Sequence, residues 1–396
     1  MPKPKYRNPF RPGAGHMPPY LAGRQQERQE FLRLLEQDVI LENLLLTGLR
    51  GVGKTVLLDT LKPLAMQQGW LWVGADLSET TSLTESHITT RLLADLSVVT
   101  SSLTLDKRTV QHLGFGKPTK VERKLNFEMM SQLYATTPGL SSDKLKAVLE
   151  TAWMVMRRQD ARGIIFAYDE AQNMKDHSAK DEYPLSLLLD VFQSIQKKEI
   201  PFMLLLTGLP TLFPKLVEAR TFSERMFRVL FLDRLNEEEC REAIVKPVDK
   251  LPEKMSEESV QLAIRESGGY PYFIQFICRE VYDVLLQHIG REVFIPMQDI
   301  TRKLDTDFFA GRWARATDRQ RDLLQVVASL SDCDNEFTLQ QVSKKSRSVL
   351  DKPFSTSQIS QMFAKLAEAG LVYKNRHGKY SFAVPMLGQF ISRQGT

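Results

Sequence analysis

The stretch TGLRGVGKTVLLDTL, residues 47–61, follows the apolar run Leu44, Leu45 and Leu46, and its reading decides how the rest of the chain is understood. Gly48, Leu49, Arg50, Gly51, Val52, Gly53, Lys54 and Thr55 fit the pattern GxxxxGK[ST] without exception. The leucines before them read as a strand, and Val56, Leu57, Leu58 and Leu61 after them carry helical spacing. Strand, glycine-rich turn and helix in that order form a phosphate cradle. Successive backbone N–H groups turn inward in conformations where a Cβ would clash. In such a cradle Lys54 neutralises β- and γ-phosphate oxygens, Thr55 ligates Mg²⁺, and the following helix offers its positive end. The expected ligands are ATP and ADP with Mg²⁺, contacted by Gly48, Arg50, Gly51, Val52, Gly53, Lys54, Thr55 and Val56.

A phosphate loop of this kind needs a second element, a buried strand ending in acid. GIIFAYDEAQNM, residues 163–174, supplies Ile164, Ile165, Phe166, Ala167 and Tyr168 ahead of Asp169 and Glu170. A continuous apolar run is the signature of a parallel strand buried on both faces. Asp169 is expected in the Mg²⁺ shell and Glu170 as the base that polarises an attacking water. IPFMLLLTGLP, residues 200–210, reads as a third strand of the same type, with Thr207 at its end.

The remaining composition is that of a folded chain: 396 residues, 42% hydrophobic and 26% charged, long enough for two or three domains. Cys240, Cys278 and Cys333 are scattered, with no CxxC and no His at ligand spacing. This fits a reducing, cytoplasmic setting without structural zinc. No apolar core follows the basic residues at the start, so no signal peptide is expected. Apolar runs such as FMLLLTGL, residues 202–209, are too short to span a bilayer, so no membrane partner is expected. The net charge of +5 is unevenly spread. Residues 337–396 hold nine Lys/Arg against Asp351 and Glu368, a net +7, and the first 26 residues hold five Lys/Arg and no acid. A polyanion partner would meet the ends of the chain.

The pattern resembles the AAA+ superfamily, within it the branch of Orc/Cdc6-like initiators, archaeal-type ATPases and STAND NTPases. The residues that carry the resemblance are LAGRQQERQEFLRLL (21–35), the phosphate loop, Asp169 with Glu170, LLLTGLP, and SGGYPYFIQ (267–275). It covers roughly residues 20–310. It implies that the segment with Gly23, Arg24 and Glu27 lies against the adenine, and that Thr207 touches the γ-phosphate and the lytic water. GGYP, with Gly268, Gly269 and Pro271, resembles the GxP signature that opens a lid helix, where the proline abuts the base. No arginine directly follows it, which leaves the sensor-2 arginine of many Orc/Cdc6 proteins unassigned. The segment EARTFSERMFRVLFLDRL (218–235) resembles the place of an arginine finger, with Arg225 the first candidate and Arg220 the second. A finger implies self-association.

The 115-residue gap between Lys54 and Asp169 marks residues 97–150 as an inserted segment before a helix at 142–159. After Asp233 the pattern turns helical, with Asn236 and Glu239 as an N-terminal cap, and reads as a lid. From Trp313 the order is helix, helix-turn-helix and a hairpin around Arg376, His377 and Gly378, which resembles a winged helix. Ile359, Met362, Phe363 and Leu366 form its buried stripe, while Gln358, Gln361 and Lys365 share the opposite face.

The expected fold is α/β: a parallel sheet sandwiched by helices, a helical lid and a C-terminal winged helix. The domains are a Pro-rich basic tail (1–20) that wraps the ATPase domain or is mobile, an ATPase domain (21–232), a lid (233–310) and a winged helix (311–396). One functional reading is an ATPase switch that holds double-stranded DNA, with Gln358, Gln361 and Lys365 in the major groove and Lys374, Arg376 and Lys379 on phosphates. Its alternative is a STAND-like signalling or defence NTPase whose winged helix docks a protein partner or autoinhibits. A third reading is a mobile-element regulator that forms filaments on DNA.

Overall fold

The computed structural model describes every residue except 1–6, 38, 79–83, 111–118, 160, 252, 290–293, 377 and 395–396, and at 104–110, 119–123, 159 and 376 it describes the backbone only. The chain forms two compact units, each with its own core. One comprises Gln25–Thr47 and Leu57–Phe231, the other Met1–Arg24, Gly48–Val56 and Leu232–Thr396.

The first unit is α/β. Its elements are α1 (Gln25–Leu35), β1 (Asn43–Gly48), α2 (Lys54–Gln67), β2 (Trp70–Val73), α3 (Glu85–Thr100), β3 (Thr104–Val110), β4 (Thr119–Lys124), α4 (Phe127–Thr136) and α5 (Ser141–Met156). There follow β5 (Gly163–Tyr168), α6 (Pro184–Gln196), β6 (Phe202–Gly208), α7 (Leu212–Ala219), α8 (Ser223–Met226) and β7 (Phe227–Leu232). The main sheet runs in the order β2-β5-β6-β1-β7, and the pairs β2/β5, β5/β6 and β1/β6 are parallel. The apolar runs that predicted strands are these strands: every residue of β1, β5 and β6 is buried. The register places Leu46 beside Thr207 and Tyr168 beside Leu206, so the C-terminal ends of β1, β5 and β6 lie level with one another.

Polar side chains pin this sheet where backbone pairing alone would not. Asn43 Oδ1 accepts from Leu204 N at 2.7 Å and from Gln196 Nε2 at 2.8 Å, which ties β1 to β6 and α6. On the opposite flank the Tyr168 hydroxyl donates to Asp95 of α3 at 3.0 Å, and Arg91 pairs with the same carboxylate at 2.7 Å. The Asp95 carboxyl is pushed above its ordinary value chiefly by burial, against the pull of Arg91 and Tyr168. Within the expected insertion the chain forms an antiparallel two-stranded ribbon, β3 with β4, that the sequence reading had no strand for. Most of its residues are polar, and Leu105, Val110 and Val121 are too few and too far apart to make an apolar period.

The second unit is mostly helical: α9 (Glu237–Val245), α10 (Glu257–Ser267), α11 (Pro271–Gln287), α12 (Met297–Leu304), α13 (Gly311–Trp313), α14 (Asp318–Ala328), β8 (Phe337–Thr338), α15 (Leu339–Val349), α16 (Thr356–Glu368), β9 (Val372–Arg376), β10 (Lys379–Phe382) and α17 (Leu387–Gln394). The three strands form an antiparallel sheet in the order β8-β10-β9. Reciprocal capping boxes start α9, α14, α15 and α16, including the Asn236–Glu239 pair expected from the sequence. A single core runs through the unit from Phe10 to Ile391, and Phe309 stacks on Phe390 at 5.0 Å and 17°. The segment from Asn8 to Arg11 is anchored on α11. Asn8 Nδ2 donates to Arg279 O at 2.7 Å, Arg11 N donates to Gln275 Oε1 at 3.1 Å, and Phe10 meets Tyr282 edge-on.

Candidate nucleotide site

The phosphate loop, Gly48 to Val56, is built by its glycines. Gly51 and Gly53 have φ of +80° and +90°, which L side chains rarely adopt. A Cβ on Gly48 would stand 2.4 Å from the carbonyl oxygen of Leu232. Beside Gly53 nothing lies within 4 Å of a would-be Cβ, so the loop is open there, as a group that approaches the backbone requires. Lys54 is 8% exposed, and its ammonium donates to the carbonyls of Gly48 and Leu49, both at 2.9 Å. Thr55 follows at the first turn of α2, and a Cβ on Gly15 would lie 3.3 Å from its methyl group.

Two further segments hold the loop. Arg24, 6% exposed, donates to Val52 O at 2.9 Å and to Asp233 O at 2.8 Å. Its guanidinium thus ties the segment before α1 to the loop backbone. In GGYP, Gly268 ends α10 in the left-handed region, Gly269 turns with φ +81°, and Pro271 opens α11. The next residue, Tyr272, donates its N–H to Gly51 O at 3.1 Å, so the first turn of α11 rests on the phosphate loop. Arg50 is half-buried, with its guanidinium beside Gly370 at the end of α16. Arg312, which no motif marked, lies over the Phe308 ring at 4.3 Å; burial first, and then the Arg50 charge, push it below its ordinary value.

The acidic residues sit in the α/β unit, at the ends of β5 and β6. Asp169 is 2% exposed; it accepts from the buried Thr207 hydroxyl and from Glu170 N at 2.7 Å. Thr207 and Asp169 are therefore joined directly, as neighbouring strand ends at this register allow. Glu170 is exposed, with φ +52°, and its carboxylate accepts from the side-chain amide of Gln172. Asp76 bridges Asp169 through the backbone. The Asp59 carboxyl is pushed up by partial burial, then by the nearby Asp169 and Asp76, with Lys62 opposing. Asp59 thus stands in the negative field of Asp169 and Asp76. The Thr47 hydroxyl, at the end of β1, is buried with no partner among the described residues. Spacing could not have flagged Asp59 or Gln172, because both depend on how separate strands line up.

The two candidate finger arginines have different surroundings. Arg220 makes a bidentate pair with Asp190 at 2.7 Å and donates to Ser186 Oγ at 2.8 Å. Arg225 is exposed on α8, and its side chain has no hydrogen-bond or ion-pair partner among the described residues.

Near the C-terminus Ile359, Phe363 and Leu366 are buried and Met362 is half-buried, while Gln358, Gln361 and Lys365 are exposed on α16. The Gln358 carbonyl is engaged in the cap of its own helix, accepting from Ser355 N at 3.0 Å. Lys374 is exposed and Lys379 half-buried; His377 and the Arg376 side chain lie outside the described residues. Lys379 shares a pocket of about 430 Å³ with Leu49, Asp332, Asp334 and Glu336. The three cysteines are free, no cluster of metal-ligating side chains occurs among the described residues, and no described helix is long and apolar enough to cross a membrane.

No curated protein matches the sequence. A family profile described as a domain of unknown function (DUF8462) matches residues 306–391. Among solved structures, the Walker-type ATPase PABY2304 of Pyrococcus abyssi is similar over 94% of this chain and 96% of its own, at 14% identity and a TM-score of 0.59. Aeropyrum pernix ORC2 in its ADP form is similar over 96% of this chain and 97% of its own, at 14% identity and a TM-score of 0.53. The ADPNP–ADP complexes of the same protein give 96% and 96%, 14% identity and 0.52. The chain shares its fold with these ATPase structures, in line with the resemblance carried by the sequence motifs.

Proposed function

We propose that this chain is a cytoplasmic ATP-binding and ATP-hydrolysing switch that holds duplex DNA through its C-terminal elements, read as a winged helix. The observation that carries the nucleotide half is the loop itself, with left-handed glycines at 51 and 53 and an open approach at Gly53. Gly48 to Val56 take the phosphates, with Lys54 as the cation; Arg24 holds the loop, and Pro271 opens the lid helix beside the base. Thr55 and Asp169 would hold Mg²⁺, which would supply charge neutralisation to the phosphates. Glu170 takes a proton from the attacking water as its oxygen bonds to the γ-phosphorus. The bond from that phosphorus to the bridging oxygen breaks, and ADP leaves with the electron pair. Thr207 fixes Asp169, and Arg225 serves a neighbouring copy as the finger. That A. pernix ORC2 was solved with ADP and ADPNP supports the ligand class.

The DNA half rests on the +7 charge of residues 337–396 and the exposed Gln361, Lys365 and Lys374. A second reading, protein docking or autoinhibition, is favoured by a specific feature: Leu49 of the phosphate loop lines a pocket with Asp332, Asp334 and Glu336. Fluorescence anisotropy on generic duplex DNA at two salt concentrations, with ATP and with ADP, separates them. Nucleotide-dependent binding whose salt slope drops by about one per lysine in Lys365→Ala and Lys374→Ala supports the switch. Absence of binding under every condition makes docking the conclusion. Lys54→Ala is expected to abolish nucleotide binding, and Glu170→Gln to bind ATP while turning over at least about a hundredfold more slowly.

A further inference from the structure

We propose that Gln172 is the positioning residue for Glu170, holding its carboxylate through an amide whose other end is fixed to the C-terminal end of β6. The inference rests on the reading of Glu170 as the general base.

Glu170 is a poor candidate for self-positioning. It is exposed, it stands where the chain leaves β5, and its backbone sits in the left-handed region. A long, exposed carboxylate retains several rotamers unless a neighbour selects one. Gln172 is that neighbour. It lies in the turn Ala171–Asn173 and is 9% exposed, so its side chain is fixed by its surroundings. Its Nε2 donates to Glu170 Oε2, its Oε1 accepts from Leu209 N at 3.1 Å, and its backbone oxygen accepts from Lys215 Nζ at 2.9 Å.

The chemistry of those partners fixes which way the amide faces. The Leu209 N–H can only donate, so the amide oxygen must face β6 and the amide NH₂ must face Glu170. A glutamate at 172 would keep the bond to Leu209 but set one carboxylate against another. A leucine would leave Leu209 N–H without a partner. The neighbouring residue of β6 is fitted to the same amide: a Cβ on Gly208 would lie 2.7 Å from Gln172 Oε1. Thr207, one residue earlier, donates its hydroxyl to Asp169. Thr207 near the end of β6 and Leu209 just beyond it therefore support both acids, Asp169 directly and Glu170 through Gln172. Displacement of that strand end moves the two carboxylates together.

The test uses the full-length protein, with kcat and KM for MgATP, equilibrium Kd for a fluorescent ATP analogue, and Tm. Gln172→Glu preserves size and the acceptor for Leu209 N, and Gln172→Ala removes both. Each is expected to lower kcat about 30-fold, within the range that displacement of a catalytic group produces, and to leave Kd within about twofold. Because Gln172 acts through Glu170, the double variant Glu170→Gln/Gln172→Glu is expected to be no slower than Glu170→Gln alone. Wild-type kcat in Gln172→Glu, or a loss of kcat matched by a loss of ATP affinity, overturns the proposal. Wild-type turnover in Glu170→Gln has a different meaning: the base itself is misassigned.

Discussion

Arg24→Ala separates two roles for this residue, a contact to the adenine and a tie to the phosphate loop. In the structure the guanidinium is 6% exposed and donates to Val52 O at 2.9 Å and Asp233 O at 2.8 Å. A hydrogen bond from a charged donor is worth about 1.5–3 kcal/mol. Loss of two such bonds, offset in part by water reaching the freed carbonyls, costs about 3 kcal/mol. For a unit of this size that lowers Tm by about 6–12 °C. Scanning calorimetry of the nucleotide-free protein reads the effect directly, and Arg24→Lys, which lacks the planar fork, is expected to recover less than half of it. Nucleotide affinity should fall as well, because Val52 belongs to the loop. A variant with unchanged nucleotide-free Tm and weakened ATP binding would refute the loop-tie account and favour a direct contact to the base.

Two other outcomes follow from the geometry. Gly53→Ala meets no neighbouring atom, so its cost is backbone strain at φ +90°, about 1–2 kcal/mol, and it is expected to weaken ATP binding more than it lowers Tm; equal or tighter binding, measured by titration calorimetry, would count against the cradle. The Asp95 carboxyl is raised in the folded state, so the fold holds a proton that the unfolded chain has already released. Its contribution is full below the ordinary value of 3.8 and is lost as pH rises through the raised one; Asp95→Asn should flatten the pH dependence of urea-unfolding stability above pH 3.8, and an unchanged slope would assign it elsewhere.

The parts legible in the sequence are those whose signal is local. Leu44 to Leu46, Ile164 to Tyr168 and the run before Thr207 declared buried parallel strands, because a strand covered on both faces has no polar period to conceal it. The glycines of the loop announced left-handed turns, and Asn236 with Glu239 announced a helix start. What stayed hidden was set by alignment between strands. That Thr207 meets Asp169, or that Gln172 spans from Leu209 to Glu170, follows from the β5/β6 register, which no stretch of either strand encodes alone. The ribbon of β3 and β4 was missed for the opposite reason: with only Leu105, Val110 and Val121 apolar, its strands carry no alternation.

The positions that GxxxxGK leaves unspecified are where this chain builds something of its own. Leu49 lines the pocket with residues around β8, β9 and β10, and the Arg50 guanidinium lies beside Gly370. The phosphate loop is thus in contact with the C-terminal elements within one unit, whose core is continuous from Phe10 through Phe309 to Phe390 and Ile391. A chain cut at residue 310 would expose the stacking face of Phe309 and remove half of that core. Loss of DNA binding on truncation would then report unfolding as readily as a lost interface. Substitution of exposed charges such as Lys365 and Lys374 leaves the core intact, so for this molecule it is the experiment that can tell C-terminal elements that hold DNA from ones that dock a protein.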